Sequence, residues 1–342
     1  MASCCQLLVV VVPRLTGSAE MTDELMGWLL NSDPAIRWQV MRDLLDRPEV
    51  EWRPERANVE TQGWGARLFD LQDGDGQWDG GAFVPANFTE QNWGDEGQPW
   101  TATCWTLAQL REFGLEPLCS CARRTVRLVG DNSRWEHDGQ RYWTGEVEEC
   151  INGRTVADGA YFGVDVTPIV KRLFSERQMD GGWNCERANG SRVSSFDTTI
   201  SVLEGLLEYE RSVGATTQTR DARRSGEDYL LRRHLYRRLS TGEAADARYL
   251  QLTHPNHWRY DILRALDYFR SASKLDQTCP DPRLSVAIEH LRSKQQVDGR
   301  WVKDWAPRGR RWFEFDDGVG QPSRWITLRA LRVLKWWDAA LI

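Results

Sequence analysis

Apolar residues along this chain recur at helical spacing and hardly anywhere alternate as they would in a strand. Ile36, Val40, Met41 and Leu44 share one helix face, and Asp33-Pro34 ahead of them supplies a cap followed by proline at the first helical position. Similar stripes are formed by Thr103, Leu107 and Leu110, and by Val166, Ile169, Val170 and Leu173 behind Thr167-Pro168. Ile200, Leu203 and Leu207 make another, as do Ile262, Leu266 and Phe269, and then Leu284, Ala287, Ile288 and Leu291. The last stretch, Trp325 to Trp337, is apolar almost all round and so is predicted to be well buried. The pattern predicts an all-α protein.

Three of these predicted helices, at 62–72, 168–178 and 283–296, run straight into a corner of Gln, Asp-Gly and Trp: QDGDGQW, QMDGGW and QQVDGRW. RLVGDNSRWEHDG, with Trp135, reads as a degraded fourth copy, and a further copy is predicted to be lost within 225–257. The spacing gives roughly 56 residues per helical hairpin and about six hairpins in the chain. Such hairpins form either an open solenoid or a closed ring. Trp336 and Trp337 near the C-terminus need an apolar partner, and closure on the first hairpin provides one, so a ring is expected.

The corner Q-x(2–3)-G-x-W after an amphipathic helix resembles the QW repeat of squalene-hopene and oxidosqualene cyclases. QMDGGW…SSFDTTISVLEGL is also similar to the repeat of protein prenyltransferase β subunits. The resemblance covers about residues 25–340 and is strongest at 165–210 and 258–337. It implies an (α/α)6 toroid, with inner helices around a central cavity and outer helices joined through QW-type turns. It further implies that Gln72, Gln178 and Gln296 bond to backbone at a neighbouring helix end, with Trp78, Trp183 and Trp301 stacked beside them as fasteners. Full triterpene cyclases carry two such domains. This chain has room for one, over 21–342, and residues 1–20 read as a disordered extension, since Met21 begins a better helix start than Met1.

Composition sharpens this picture in three places. Eighteen tryptophans in 342 residues call for a repeated structural job or a large apolar cavity. A formal charge of −6 argues against a nucleic-acid binder. Eight scattered cysteines without a C-x-x-C pair suit reduced thiols and a cytoplasmic protein, so the glycosylation triplets at Asn87 and Asn189 read as chance. Leu7 to Val12 is too short to span a membrane. The arginine-rich segment Arg220–Arg238 carries a leucine face and reads as an exposed outer helix, with a basic patch for an anionic partner or peripheral membrane contact as the alternative.

Candidate chemistry lies where predicted inner helices begin. Those starts offer Trp100, Cys104, Asp197, His254, His257, Trp258, Tyr260, Asp261, Arg324 and Trp325. The resemblance implies two activities. Proton-initiated terpene cyclisation uses a D-x-D-D acid, for which the chain offers Glu314-Phe315-Asp316-Asp317, with Asp316 as donor and Glu314 and Asp317 tuning it. Alignment on the helix frame instead leaves Asp197. Trp100, Trp258, Tyr260 and Trp325 would then face the cation. Zinc-dependent prenyl transfer uses D-x-C plus a distant His, and no D-x-C occurs here, so neither metal nor cofactor is expected. HPNHWRYDILRAL places His254, His257 and Asp261 ahead of one helix, either as a polar cluster at the cavity rim or as a capped turn. The expected function is an enzyme or enzyme-like protein acting on an isoprenoid or other apolar ligand in an aromatic-lined central cavity. The competing reading is a non-catalytic toroid that binds a lipid, peptide or protein.

Overall fold

The computed structural model describes residues 22–95 and 97–340, so the predicted N-terminal extension and the choice of start methionine lie outside it. Among the described residues there are isolated bridges, such as Trp78 with Gly81, but no named strand. Helix α1 (Asp23–Leu30) leads into α2 (Pro34–Gln39), which widens into a looser turn at Val40–Leu44. Then come α3 (Glu49–Thr61), α4 (Gly63–Asp70), the short α5 (Glu90–Asp95), α6 (Thr103–Phe113), α7 (Ser120–Asn132) and α8 (Glu149–Tyr161). The remainder are α9 (Thr167–Ser175), α10 (Phe196–Val213), α11 (Thr217–Leu231), α12 (Ile262–Asp276), α13 (Ser285–Ser293) and α14 (Arg324–Ala339).

Six helices, α2, α6, α8, α10, α12 and α14, each contribute side chains to one central hollow, while α4, α9, α11 and α13 each pack against an inner helix. The ring closes where the chain's two ends meet. Arg332 Nη1 on α14 donates to Gln39 Oε1 on α2 at 2.9 Å, and Lys335 Nζ donates to the carbonyls of Asp43 and Leu44 at 3.2 and 3.0 Å. The fold is thus an all-α toroid.

The corners explain why the same residues recur. The indole N–H groups of Trp78, Trp183 and Trp301 donate to the carbonyls of Leu68, Leu173 and Leu291, ten residues back at the end of the preceding outer helix, at 2.7–2.8 Å. Their backbone N–H groups donate to Thr103, Thr199 and Thr327 hydroxyls on the first turn of the next inner helix. Each tryptophan therefore donates to a last-turn carbonyl of one helix while tying that helix to the next. Gly76, at φ +92°, is needed because a side chain there would run into Leu128. The glutamines do less than the resemblance implies. Gln72 reaches across to Thr125, but among the described residues the side chains of Gln178 and Gln296 bond within their own loops, to Ser191 O and Lys294 O.

Helices α8 and α10 approach most closely, because a Cβ on Gly153 would meet Ser201 O and one on Gly205 would meet Gly153 O. The arginine-rich segment is not wholly an exposed face. Arg223 of α11 is fully buried and pairs with Glu210, Glu227 and Asp276, so its guanidinium holds α11 to α10 and α12. Of the predicted leucine face, Leu230, Leu231 and Leu235 are buried, but α11 ends at Leu231 and Leu239 is exposed. None of the described helices is long and apolar enough to cross a membrane.

Candidate functional site

The central hollow, about 220 Å³, corrects the expectation of an oily, aromatic middle. Arg111, Arg154, Arg211, Arg264, Arg329 and Arg332 line it against Glu112, Glu204, Glu208 and Asp267, six cations against four carboxylates. Arg264 grips Glu204 from α12 to α10, and Arg270, Arg329 and Arg332 converge on Asp267. Burial alone would raise Asp267, but Arg332, Arg270 and Arg329 outweigh it and hold its carboxyl well below the usual range. Burial is likewise overcome at Glu112, which His254, Arg329 and Arg111 bring down to about 2. Asp267 and Glu112 are therefore ionised at neutral pH and are not proton donors.

The predicted catalytic residues scatter. Asp316 is buried away from the hollow. It accepts from Ser323 Oγ at 2.6 Å and from Arg324 N at 3.0 Å, with Lys303 Nζ 3.7 Å away. It therefore helps to cap the start of α14. Glu314 and Asp317 are exposed, Glu314 paired to Arg311. Asp197 accepts from Tyr260 N and Tyr249 OH. Asp261, raised by burial, accepts from the N–H groups of Arg264 and Thr253 and from Asn256 Nδ2. Asp261 thus caps the start of α12 itself, while Arg264, one of the arginines expected to pair with it, pairs with Glu204.

The two histidines of that segment face different neighbours. His254 stacks on Trp325 at 4.8 Å and lies 3.3 Å from Glu112, out of hydrogen-bond alignment. His257 stacks flat on Trp100 at 4.1 Å, adopts a left-handed backbone at φ 50° and borders the hollow. Burial, then Arg154, pushes its imidazole well below the usual value, so it is neutral at pH 7. Tyr260 packs with Phe196 and Tyr249 and donates to Leu235 O, and Arg324 lies over Trp28. None of Trp100, Tyr260, Arg324 and Trp325 lines the hollow.

A second cavity of about 170 Å³ lies in the ring wall. It is mostly apolar, bounded by Phe83, Trp105, Ile151 and Trp258, with Cys104, Glu148, Cys150 and Cys185 at its edge. It brings together two predicted residues, Cys104 and Trp258, whose indole donates to Gln98 Oε1 at 3.0 Å. Trp105 and Arg154 belong to both cavities. Arg154 lies over the Trp105 ring at 4.8 Å and donates to His257 O at 2.5 Å, and among the described residues no carboxylate sits within ion-pair distance of it. Two groups of metal donors also form, Glu60 with Cys119 and Cys121, and Glu148 with Cys150 and Cys185. Neither group was expected from the sequence. The available signal was that Glu148-x-Cys150 sits at the start of an inner helix and Cys185 lies two residues beyond the Trp183 corner.

No protein-family profile and no curated protein matches the chain. Among solved structures, a protein from Actinoplanes aligns over 90% of each chain with 17% identity and a TM-score of 0.43. The type II terpene cyclase MstE from Scytonema aligns over 86% of this chain and 99% of its own with 14% identity and a TM-score of 0.37. Likenesses this distant bear no weight on function, and the toroid rests on the chain's own helices.

Proposed function

We propose that the toroid binds a small amphiphile, its apolar part in the wall cavity and an anionic head against Arg154. One observation carries this reading: the apolar cavity and the cation-rich hollow share the wall made by Trp105 and Arg154. Arg154 keeps its charge, although burial, then Arg264, lowers its pKa from the ordinary value. A guanidinium with no carboxylate partner, facing two cavities, is a ready anion receptor. An isoprenoid with an acidic or phosphorylated head has the required chemistry. Proton-initiated cyclisation at Asp316 is disfavoured by that residue's burial at the start of α14.

Calorimetric titration with farnesol and farnesyl diphosphate tests this. The diphosphate is expected to bind more tightly, Ile151→Trp to weaken it at least about tenfold by filling the cavity, and Asp316→Asn to leave binding unchanged. Equal affinity of wild type and Ile151→Trp, or no binding of either compound, overturns the reading.

A further inference from the structure

We propose that Glu148, Cys150 and Cys185 form a mononuclear zinc site whose fourth coordination position opens into the apolar wall cavity. One donor atom from each residue lies within 4.8 Å of the other two, and all three residues border that cavity. Two sulfurs and one carboxylate suit a borderline-soft tetrahedral ion rather than magnesium or calcium, which take oxygen shells. Zinc bonds of about 2.0–2.3 Å place ligand atoms roughly 3.5–3.8 Å apart, within reach of small rotamer changes here. Cys150 Sγ already lies 3.4 Å from Glu148 Oε2.

The surroundings hold the donors in place. Glu148 and Cys150 lead into α8, and Cys185 sits in the short turn ahead of α10, the two helices that the Gly153 and Gly205 contact locks together. Thr198, buried on the first turn of α10, donates its hydroxyl to Cys185 Sγ at 3.3 Å and accepts from Cys185 N. Such outer contacts orient a ligand and tune its affinity. Zinc binding releases the thiol protons to solvent, and both sulfurs coordinate as thiolates. Three protein ligands with one position left open is the arrangement of reactive rather than purely structural zinc.

The site is independent of what fills the cavity, so it can fail while the amphiphile reading stands, and the reverse. The test uses the full chain, reduced and stripped with chelator, in a Cys119→Ser/Cys121→Ser background that silences the other donor cluster. Titration with Co2+ is expected to give one equivalent bound with thiolate-to-cobalt charge-transfer absorption, displaced by Zn2+. Cys150→Ser and Cys185→Ser each lose the band, Glu148→Gln loses stoichiometric binding while keeping the helical circular-dichroism signal, and Thr198→Val binds Zn2+ about 10–100-fold more weakly. No charge-transfer band, or a band that survives Cys150→Ser, overturns the proposal, as does Glu148→Gln binding Zn2+ like the parent.

Discussion

Replacing Asp267 by alanine is expected to lower the unfolding free energy by about 3–5 kcal/mol, the cost of leaving buried charge without its partner. Asp267 on α12 takes Arg270 of its own helix and Arg329 and Arg332 of α14, so three guanidinium groups lose a common counter-ion at once. Urea unfolding at neutral pH measures the loss. The pH dependence carries a second signature. Asp267 and Asp43 are held well below the ordinary carboxylate range, burial being outweighed by their arginines, and Glu112 is held at about 2. A folded-state pKa below the unfolded one adds stability that is complete above the unfolded value and is lost as pH falls through the folded one. Stability of the wild type should therefore decline steadily on acidification below about pH 5. The Asp267→Ala protein should start lower and decline less steeply. Parallel acid limbs for the two proteins, or a loss below about 1 kcal/mol, would mean the network is solvated rather than buried.

Trp183→Ala is expected to cost a similar amount, about 3–5 kcal/mol, by a different route. The indole is fully buried against Gly226 of α11 and gives its N–H to Leu173 O, so truncation leaves a cavity and an unsatisfied carbonyl together. Met179, four residues earlier in the same corner, is fully exposed, and Met179→Ala should stay within about 0.5 kcal/mol of wild type. Trp183→Phe should recover part of the loss, because the ring volume returns without the donor. Unfolding midpoints for the three variants decide it, and comparable losses at Trp183 and Met179 would remove the fastening role from the indole. Because Cys185 lies two residues beyond Trp183, the alanine variant should also bind Co2+ poorly.

The ring and its corners could be read from the sequence, because the outer helices bury strong apolar stripes and the tryptophan corners repeat. The interior could not. Helix α8, ECINGRTVADGAY, shows no apolar face, since one side packs backbone to backbone through Gly153 and another sends Arg154 into the hollow. Its composition resembles a loop until the closeness to α10 is seen. The charged centre was equally hidden. Asp267 and Arg332, or Glu204 and Arg264, each read as solvated polar positions on an amphipathic helix, and only ring closure turns them inward to meet. Aromatic abundance pointed to an oily middle, whereas the tryptophans with the firmest positions are committed to corners: Trp78, Trp183 and Trp301 all face helix ends. At Asp316 the neighbours in sequence match an acid motif, while the neighbours in space are the first backbone amide and capping serine of α14.

Both cavities and every role assigned around them depend on the chain's first and last inner helices meeting. Asp43, at the end of the widened turn after α2, and Arg332 on α14 lie 3.5 Å apart, both nearly buried. A double-mutant cycle with Asp43→Ala and Arg332→Ala measures that contact, because the separate partners of each residue cancel. The closed ring predicts a coupling of about 1–3 kcal/mol. Additivity within about 0.5 kcal/mol would mean the two ends do not touch and the hollow between them does not exist.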